Sequence, residues 1–296
     1  MRLLSVLLII IVSYNVENLF HPAHDSLKDD YEWTSEGERR WSYTRYYRKE
    51  ENIARVLTNI GAWDGVDVVG LQEVENALVV KRLCYTLRRG EYDFVHYESP
   101  DRRGIDVAMI YKKGRIDTIR TRAIRVDLGE ETTRGILYVC AQIDKKDTIH
   151  FLVCHMPSQR GGAAESEWKR ECAKRVLQEA VDSVFRVSPD AKIVVMGDMN
   201  CEPKEDIIGL KNRMIGDGLP VTGYGTHKYQ GGWTCLDQFY TSASMDSISN
   251  VQIYDAEWIQ ETDEKYMGLK PKRTYNGYKY QNGYSDHLPI ILECQR

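Results

Sequence analysis

The chain has no apolar run long enough to cross a bilayer. Its longest, Leu3 to Val12, is broken by Ser5 and falls short of the about 20 residues a spanning helix needs. It has no Cys-x-x-Cys pair, and its seven cysteines, at 84, 140, 154, 172, 201, 235 and 294, are an odd number. That excludes a zinc ribbon and a fully paired disulfide framework. Cys140 and Cys154 sit inside apolar, strand-like runs and read as core thiols, so a reducing compartment and an exported setting are both compatible. There is no Pro/Gly/Ser-rich linker, low-complexity stretch or internal repeat to divide the chain. Nor is there a large excess of either charge. Forty basic residues face 44 acidic ones, a net charge of −4, which gives no global attraction for nucleic acid and leaves only a local basic groove open.

What is present suits one compact enzyme domain. Hydrophobic residues make up 42% of the 296 positions and charged residues 28%, enough for a sizeable core under an ordinary surface. Met1-Arg2 and the apolar run have the first two regions of an export signal, but no small-x-small cleavage site precedes Ser13-Tyr14-Asn15. We therefore read 1–12 as an apolar N-terminal segment, with Val6 to Tyr14 forming the first core strand, and 13–296 as a single domain. An export or anchor signal running into that strand is the alternative, and it leaves cytoplasmic and exported locations both open.

Strand-like and helix-like segments alternate along the chain. Glu50 to Asn59 reads as a helix whose face carries Ile53, Val56 and Leu57 and continues to Ile60, before Gly61 supplies a stop. Val66 to Gln72 reads as a buried strand and Ala77 to Arg89 as a helix. Strands are expected at Ile105 to Lys112, Ile116 to Val126, Ile136 to Ile143 and Thr148 to His155, followed by a helix from Ala164 to Phe185. Further strands are expected at Ile193 to Met196, Leu236 to Thr241 and Leu288 to Glu293. Periodicity alone supports a layered α/β class.

Six short polar segments carry the chemistry. They are Ser13-Tyr14-Asn15-Val16-Glu17-Asn18, Leu71-Gln72-Glu73-Val74-Glu75-Asn76, Cys154-His155-Met156-Pro157, Gly197-Asp198-Met199-Asn200, Leu236-Asp237-Gln238-Phe239 and Ser285-Asp286-His287-Leu288-Pro289. Nearly every one follows an apolar, often β-branched run, so each lies where a buried strand ends. Carboxylates, amides and two histidines gathered at strand ends suit a hard cation and a phosphate. Asp198 and Asn200 flank Met199, and extended alternation points both to one face. Cys201, beside them, has no surrounding triad pattern, and water is the expected attacker.

The order and spelling of these segments resemble the endonuclease/exonuclease/phosphatase superfamily over about residues 13 to 294. The resemblance implies a four-layer α/β sandwich, two facing mixed β-sheets flanked by helices. It implies divalent-metal-dependent phosphoester hydrolysis with Mg²⁺ or Mn²⁺, and Ca²⁺ as a conceivable structural ion. Glu73 is the implied metal ligand, Glu17 a second and often indirect carboxylate, and Asp286 a contact through water. Asn15 would hold Glu73 and the scissile phosphate. His287 with Asp237 is either the general base or a clamp on the phosphate, with Asp198 then taking the proton of water. Asn200 and His155 would support the phosphoryl oxygens. Arg103 and Arg160 are candidate phosphate contacts on loops.

The substrate is less legible. Segments 31–49 and 270–284 interleave tyrosines and tryptophans with lysines and arginines, which suits stacked bases beside a phosphate backbone or a packed insertion with solvated charges. The opening block and the Arg103-Gly104-Ile105-Asp106 segment look most like bacterial nuclease-type members, so nucleic acid is the expected substrate, with no obligatory protein partner and membrane association left open. The alternatives are a phosphatase or phospholipase-type phosphodiesterase on a lipid or sugar phosphate, and a catalytically silent binding protein.

Overall fold

A computed structural model describes residues 8–159, 162, 164–203, 209–215, 224–245 and 248–295. The chain runs through β1 (Ile9–Leu19), α1 (Tyr43–Gly61), β2 (Val68–Val74), α2 (Ala77–Leu87), β3 (Tyr92–His96), β4 (Asp106–Lys112), β5 (Ile116–Ile124), β6 (Ile136–Ile143), β7 (Asp147–His155), α3 (Glu167–Val187) and β8 (Lys192–Asp198). Next come β9 (Leu210–Asn212), the hairpin β10 (His227–Tyr229) and β11 (Gly232–Thr234), β12 (Asp237–Ser242) and β13 (Ile248–Ile253). The hairpins β14 (Gln260–Thr262) with β15 (Leu269–Pro271) and β16 (Tyr275–Asn276) with β17 (Lys279–Tyr280) precede β18 (Ile290–Cys294).

Two six-stranded mixed sheets form the centre, ordered β13-β18-β1-β2-β4-β3 and β5-β6-β7-β8-β12-β9. Each contains one parallel pair, β1 with β2 and β7 with β8, joined by a helical crossover. Ile11, Val68, Met109, Val139, Phe151, Met196, Phe239 and Leu292 interdigitate between the sheets. Leu57, Val80 and Leu83 cover the outer face of the first sheet, and Leu177, Val181 and Val184 that of the second. Apolar side chains on both faces explain why these strands read as nearly continuous hydrophobic runs. The result is the expected four-layer sandwich. The sheets approach closely at Gly70, where a Cβ would lie 2.9 Å from the Met196 sulfur.

Several boundaries differ from the expectation. The strand read as Val6 to Tyr14 is observed from Ile9, its first positions lying outside the described residues, and it continues to Leu19. Helix α1 begins at Tyr43 rather than Glu50, because Ser42 accepts a hydrogen bond from the Arg45 amide and caps it there. The edge strands β3 and β13 had no clear signal: β3 is short and half-exposed, and β13 is punctuated by serine and asparagine.

One edge of the sandwich gathers the ends that matter. The C-terminal ends of the parallel strands β1, β2, β7 and β8 lie there, together with the N-terminal ends of their antiparallel neighbours. The register pairs Asp198 with Asp237, Val74 with Asp106 and Ser13 with Ile290. All six sequence segments therefore meet at this edge, although they are spread over the chain.

Candidate active site

The backbone departs from regular strand geometry where the polar side chains emerge. The ladder shifts between Asn15 and Leu19 and between Gln72 and Val74, and Glu17, Asn18, Glu73 and Asn200 adopt φ values of 51°, 55°, 65° and 50°. Left-handed backbone at non-glycine residues costs of order 1–3 kcal/mol each and persists where surrounding contacts impose it. Here bulged strand ends re-aim side chains that plain alternation would send to the other face.

The contacts centre on Asn15 and Glu73. The Asn15 side-chain nitrogen donates to Asp198 Oδ2 at 3.1 Å and lies 3.5 Å from Glu73 Oε1, while its side-chain Oδ1 accepts from the Glu17 backbone amide at 3.0 Å. Glu73 Oε2 accepts from the Asn18 amide at 2.9 Å. His155 Nε2 stands 3.6 Å from Asp198 and 3.9 Å from Glu73. His287 Nδ1 bonds Asp237 Oδ2 at 2.7 Å, and its Nε2 lies 3.9 Å from Asp198 Oδ2. Ser285 donates to the Asn15 carbonyl at 2.6 Å and accepts from the His287 amide at 3.1 Å, tying the last segment to the first. Met199 points into the outer core as alternation requires, but the chain turns at Asn200. Its backbone amide bonds Asp198 Oδ1 at 2.8 Å and its side-chain amide donates to the Met156 carbonyl at 2.9 Å.

Burial and charge divide the titratable groups into opposed pairs. Burial raises the Asp198 pKa to about 7, against the pull of His287 and with help from Asp237 and Glu73. Burial lowers His287, but Asp237 and its hydrogen bond outweigh that and hold the imidazole protonated well above its ordinary range. His155 moves the opposite way: burial and the positive charges of Arg134, Arg103 and His287 keep it neutral. Close groups whose environments push their pKa values apart are the usual basis of acid and base assignments.

Glu17 and Asp286 sit beside this cluster in a different electrostatic setting. Arg273 binds Asp286 at 2.5 Å and lies 3.5 Å from Glu17, and the fully buried Lys49 ammonium is 3.7 Å from Glu17. Lys49 also donates to Thr274 Oγ1 and the Tyr284 carbonyl, both at 2.6 Å, and the Thr274 amide donates to Glu17 at 2.6 Å. Although burial pushes Asp286 up, Arg273 and the histidines hold it down at about 2. Burial and Asp286 raise Glu17 despite its two cations.

The donor set fits one hard divalent ion at Glu73. That carboxylate is held by two neutral amides and no lysine or arginine pairs with it among the described residues, whereas Glu17 and Asp286 already carry cations. One or two carboxylates with several waters is the usual surrounding of Mg²⁺. Two other groups place three ligand atoms within 4.8 Å of one another, His227 with Asp286 and His287, and His96 with Glu98 and Asp106. Arg273 opposes a cation in the first, and in the second His96 and Asp106 bond each other at 3.2 Å.

Arg103 stands at the rim, and Arg160 lies outside the described residues. Sequence reading missed Arg134, Asp101, Lys49 and His227. His227 bridges to His287, with ring centroids 4.9 Å apart; Lys49, Asp101 and His227 sit in segments that drew notice for other residues or for the resemblance, and only Arg134 lies in a stretch that suggested no chemistry. The aromatic and cationic residues of 31–49 and 270–284 largely pack on one another. Trp33 and Tyr275 bracket the Arg39 guanidinium at 4.4 and 5.2 Å, and Trp41 and Tyr46 are fully buried. Tyr31, Tyr43, Tyr47 and Tyr278 remain exposed.

A four-layer sandwich with carboxylates, amides and imidazoles converging at one sheet edge defines a metal-dependent phosphoesterase. The chain belongs to the Endonuclease/Exonuclease/phosphatase family, whose model matches residues 10–296. Truncated Caenorhabditis elegans TDP2 is similar at 16% identity, with 98% of each chain covered and a TM-score of 0.63. Bacteroides thetaiotaomicron mannosyl-6-phosphatase is similar at 15% identity, over 96% of this chain and 98% of that one, with a TM-score of 0.60. D. rerio TDP2 complexed with single-strand DNA product is similar at 15% identity, over 97% and 98%, with a TM-score of 0.57. No curated protein matches the chain.

Proposed function

We propose that the protein is a nuclease that hydrolyses phosphodiester bonds with Mg²⁺ or Mn²⁺. The observation that carries this reading is the opposed pair at the strand ends: a buried carboxylate with a raised pKa, Asp198, 3.9 Å from a protonated imidazole, His287. Asp198 takes the proton of the attacking water. His287, held in one tautomer by Asp237, donates from Nε2 to a phosphoryl oxygen rather than acting as the base. Neutral His155 and the free N–H of Asn200 steady the phosphate, and Asn15 orients both Glu73 and Asp198. Glu73 would hold a divalent ion, which would supply Lewis-acid stabilisation of the charge developing on the phosphoryl oxygens. The single-strand DNA product held by D. rerio TDP2 supports a nucleic-acid substrate.

A second reading, a phosphodiesterase or phosphatase acting on a lipid or sugar phosphate, draws on one local observation. The β10–β11 and β14–β15 hairpins pack together beside His227 and expose Tyr229, Tyr266, Met267 and Leu269 at 68%, 40%, 78% and 46%. Among the described residues no helix is long and apolar enough to cross a membrane. The deciding experiment offers the purified chain plasmid DNA, linear DNA, single-stranded RNA, inositol phosphates, mannose 6-phosphate and sphingomyelin, each with Mg²⁺ and with chelator, beside a Glu73→Gln control. Metal-dependent cutting of nucleic acid that the control lacks supports the nuclease reading. Turnover confined to a lipid or sugar phosphate replaces it with the second.

A further inference from the structure

Arg134 is buried at the foot of β6, far from solvent, and spends its guanidinium on three partners. Its Nε donates to the His155 carbonyl at 3.1 Å, its Nη2 to the Met156 carbonyl at 3.0 Å, and its Nη1 to Asp101 Oδ2 at 3.1 Å. Both Arg134 and Asp101 are 5% exposed. The other oxygen of the same carboxylate, Asp101 Oδ1, accepts from the Arg103 amide at 2.9 Å and lies 3.6 Å from Arg103 Nε. One buried carboxylate therefore faces two arginines, the first gripping the end of the strand that carries His155, the second near enough for its charge to bear on His155.

The loop around Asp101 is braced from outside as well. Lys28 donates to the Ser99 and Asp101 carbonyls at 3.0 and 3.2 Å, the Asp29 amide donates to the Arg102 carbonyl at 2.8 Å, and the Ser99 amide donates to Asp106 at 3.1 Å. Gly104 turns the chain at φ +74°, with Lys28 packed where a side chain would lie. What this bracing leaves free is the tip of Arg103: its side chain is 42% exposed, and Nη1 and Nη2 take no protein partner among the described residues. A buried ionic pair is weak evidence for stability, since its desolvation cost commonly cancels its attraction. Its geometry, by contrast, is specific, because a guanidinium fork fixes direction.

We propose that Asp101 and Arg134 are positioning residues that hold Arg103 and His155 at a fixed spacing as the two arms of one phosphate-binding pocket. Arg103 grips a non-bridging phosphate oxygen through its free Nη atoms. Arg134 sets the height of the His155 strand end relative to it, and Asp101 transmits the constraint between them. The proposal rests on the phosphoester reading of the site but not on which phosphoester is cleaved.

The test is a double-mutant cycle on the full chain with Mg²⁺, read by calorimetric binding of inorganic phosphate and by kcat and KM on bis-p-nitrophenyl phosphate. Arg103→Ala should weaken phosphate by about 10-fold or more, the range of a charge-assisted pair. Asp101→Asn should produce most of that loss alone and add almost nothing in the Arg103→Ala background, because it acts through the same guanidinium. Arg134→Met should lower kcat as well as weaken phosphate, and Arg134→Lys, which keeps a charge but loses the fork, should recover only part of either. A merely structural role predicts a lower melting temperature with phosphate affinity and KM unchanged, or losses that add across the cycle, and either outcome overturns the proposal. If Asp101→Asn does not fold, Arg134→Lys in the wild-type and Arg103→Ala backgrounds completes the same cycle. Coupled phosphate binding without any phosphodiester turnover would sink the nuclease reading and leave this one standing; turnover with additive losses would do the reverse.

Discussion

Replacing Asp237 by asparagine removes one charge and almost no volume. In the native site Asp237 Oδ2 accepts from His287 Nδ1 at 2.7 Å, and Asp237 is fully buried. The amide oxygen of asparagine can accept the same bond, so the ring keeps its place while losing the charge that favours its protonated form. A charge-assisted buried hydrogen bond exceeds a neutral one by about 1–2 kcal/mol, and at about 1.4 kcal/mol per pKa unit the His287 pKa should fall by about one unit. Because the imidazole is active when protonated, the alkaline limb of the pH–kcat profile should move down by that amount, with activity on that limb reduced about 10-fold at a given pH. Asp237 Oδ1 is buried with no hydrogen-bond partner among the described residues, and burying an amide nitrogen there in place of an oxygen should lower stability by about 1–3 kcal/mol. The assay is a pH–rate series on bis-p-nitrophenyl phosphate with Mg²⁺, beside a denaturant melt. An unmoved alkaline limb refutes the reasoning. Movement of the acid limb instead makes His287 the general base and removes that role from Asp198.

Other perturbations test separate links. Asn15→Ala takes a hydrogen-bond partner from Glu73 and from Asp198, and loss of such a support should lower metal affinity or activity about 10–100-fold, measured by Mg²⁺ titration of the rate. Lys49→Met leaves Glu17 with its side chain 7% exposed and one cation short; stripping a partner from a buried ion pair costs about 3–5 kcal/mol, and adding Glu17→Gln should restore part of the urea midpoint. Gly197→Ala would place a Cβ 1.9 Å from the Cys154 carbonyl at φ +143°. It should destabilise by about 3 kcal/mol or more through backbone strain and overpacking and displace Asp198, so both melt and turnover should suffer.

The layered class was readable because the central strands are buried on both faces and therefore apolar throughout, as in Ile193 to Met196 or Val68 to Leu71. The edge strands β3 and β13 were not, since short stretches of mixed residues leave no clear period, whereas the longer edge strand β5 was. The segments holding Asn15, Glu73, Asp198 and His287 stood out because each interrupts an apolar run with polar residues. The cations were harder to place. Nothing local distinguishes Arg134 from an exposed arginine or Lys49 from any helix lysine; both are buried because residues more than 30 positions away supply their carboxylates, Asp101 for one and Glu17 for the other. Glu17 and Glu73 look alike in sequence, and only the three-dimensional neighbourhood separates a carboxylate already neutralised by Lys49 and Arg273 from one left open.

Strand β18 comes last in the chain yet lies inside the first sheet, between β13 and β1. During synthesis β1 is left without one neighbour until β18 has been made, and Asp286 and His287 arrive just ahead of that strand. A chain ended before this closing segment thus holds Asn15, Glu73 and His155 but lacks His287, the protonated imidazole paired with Asp198, so chemistry and completion of the sheet begin together. Pairing the first strand with the last also makes the contacts highly non-local, which slows folding and leaves the edge of β1 open to foreign strands meanwhile. The feature that withholds activity from incomplete chains is therefore also where misassembly would start.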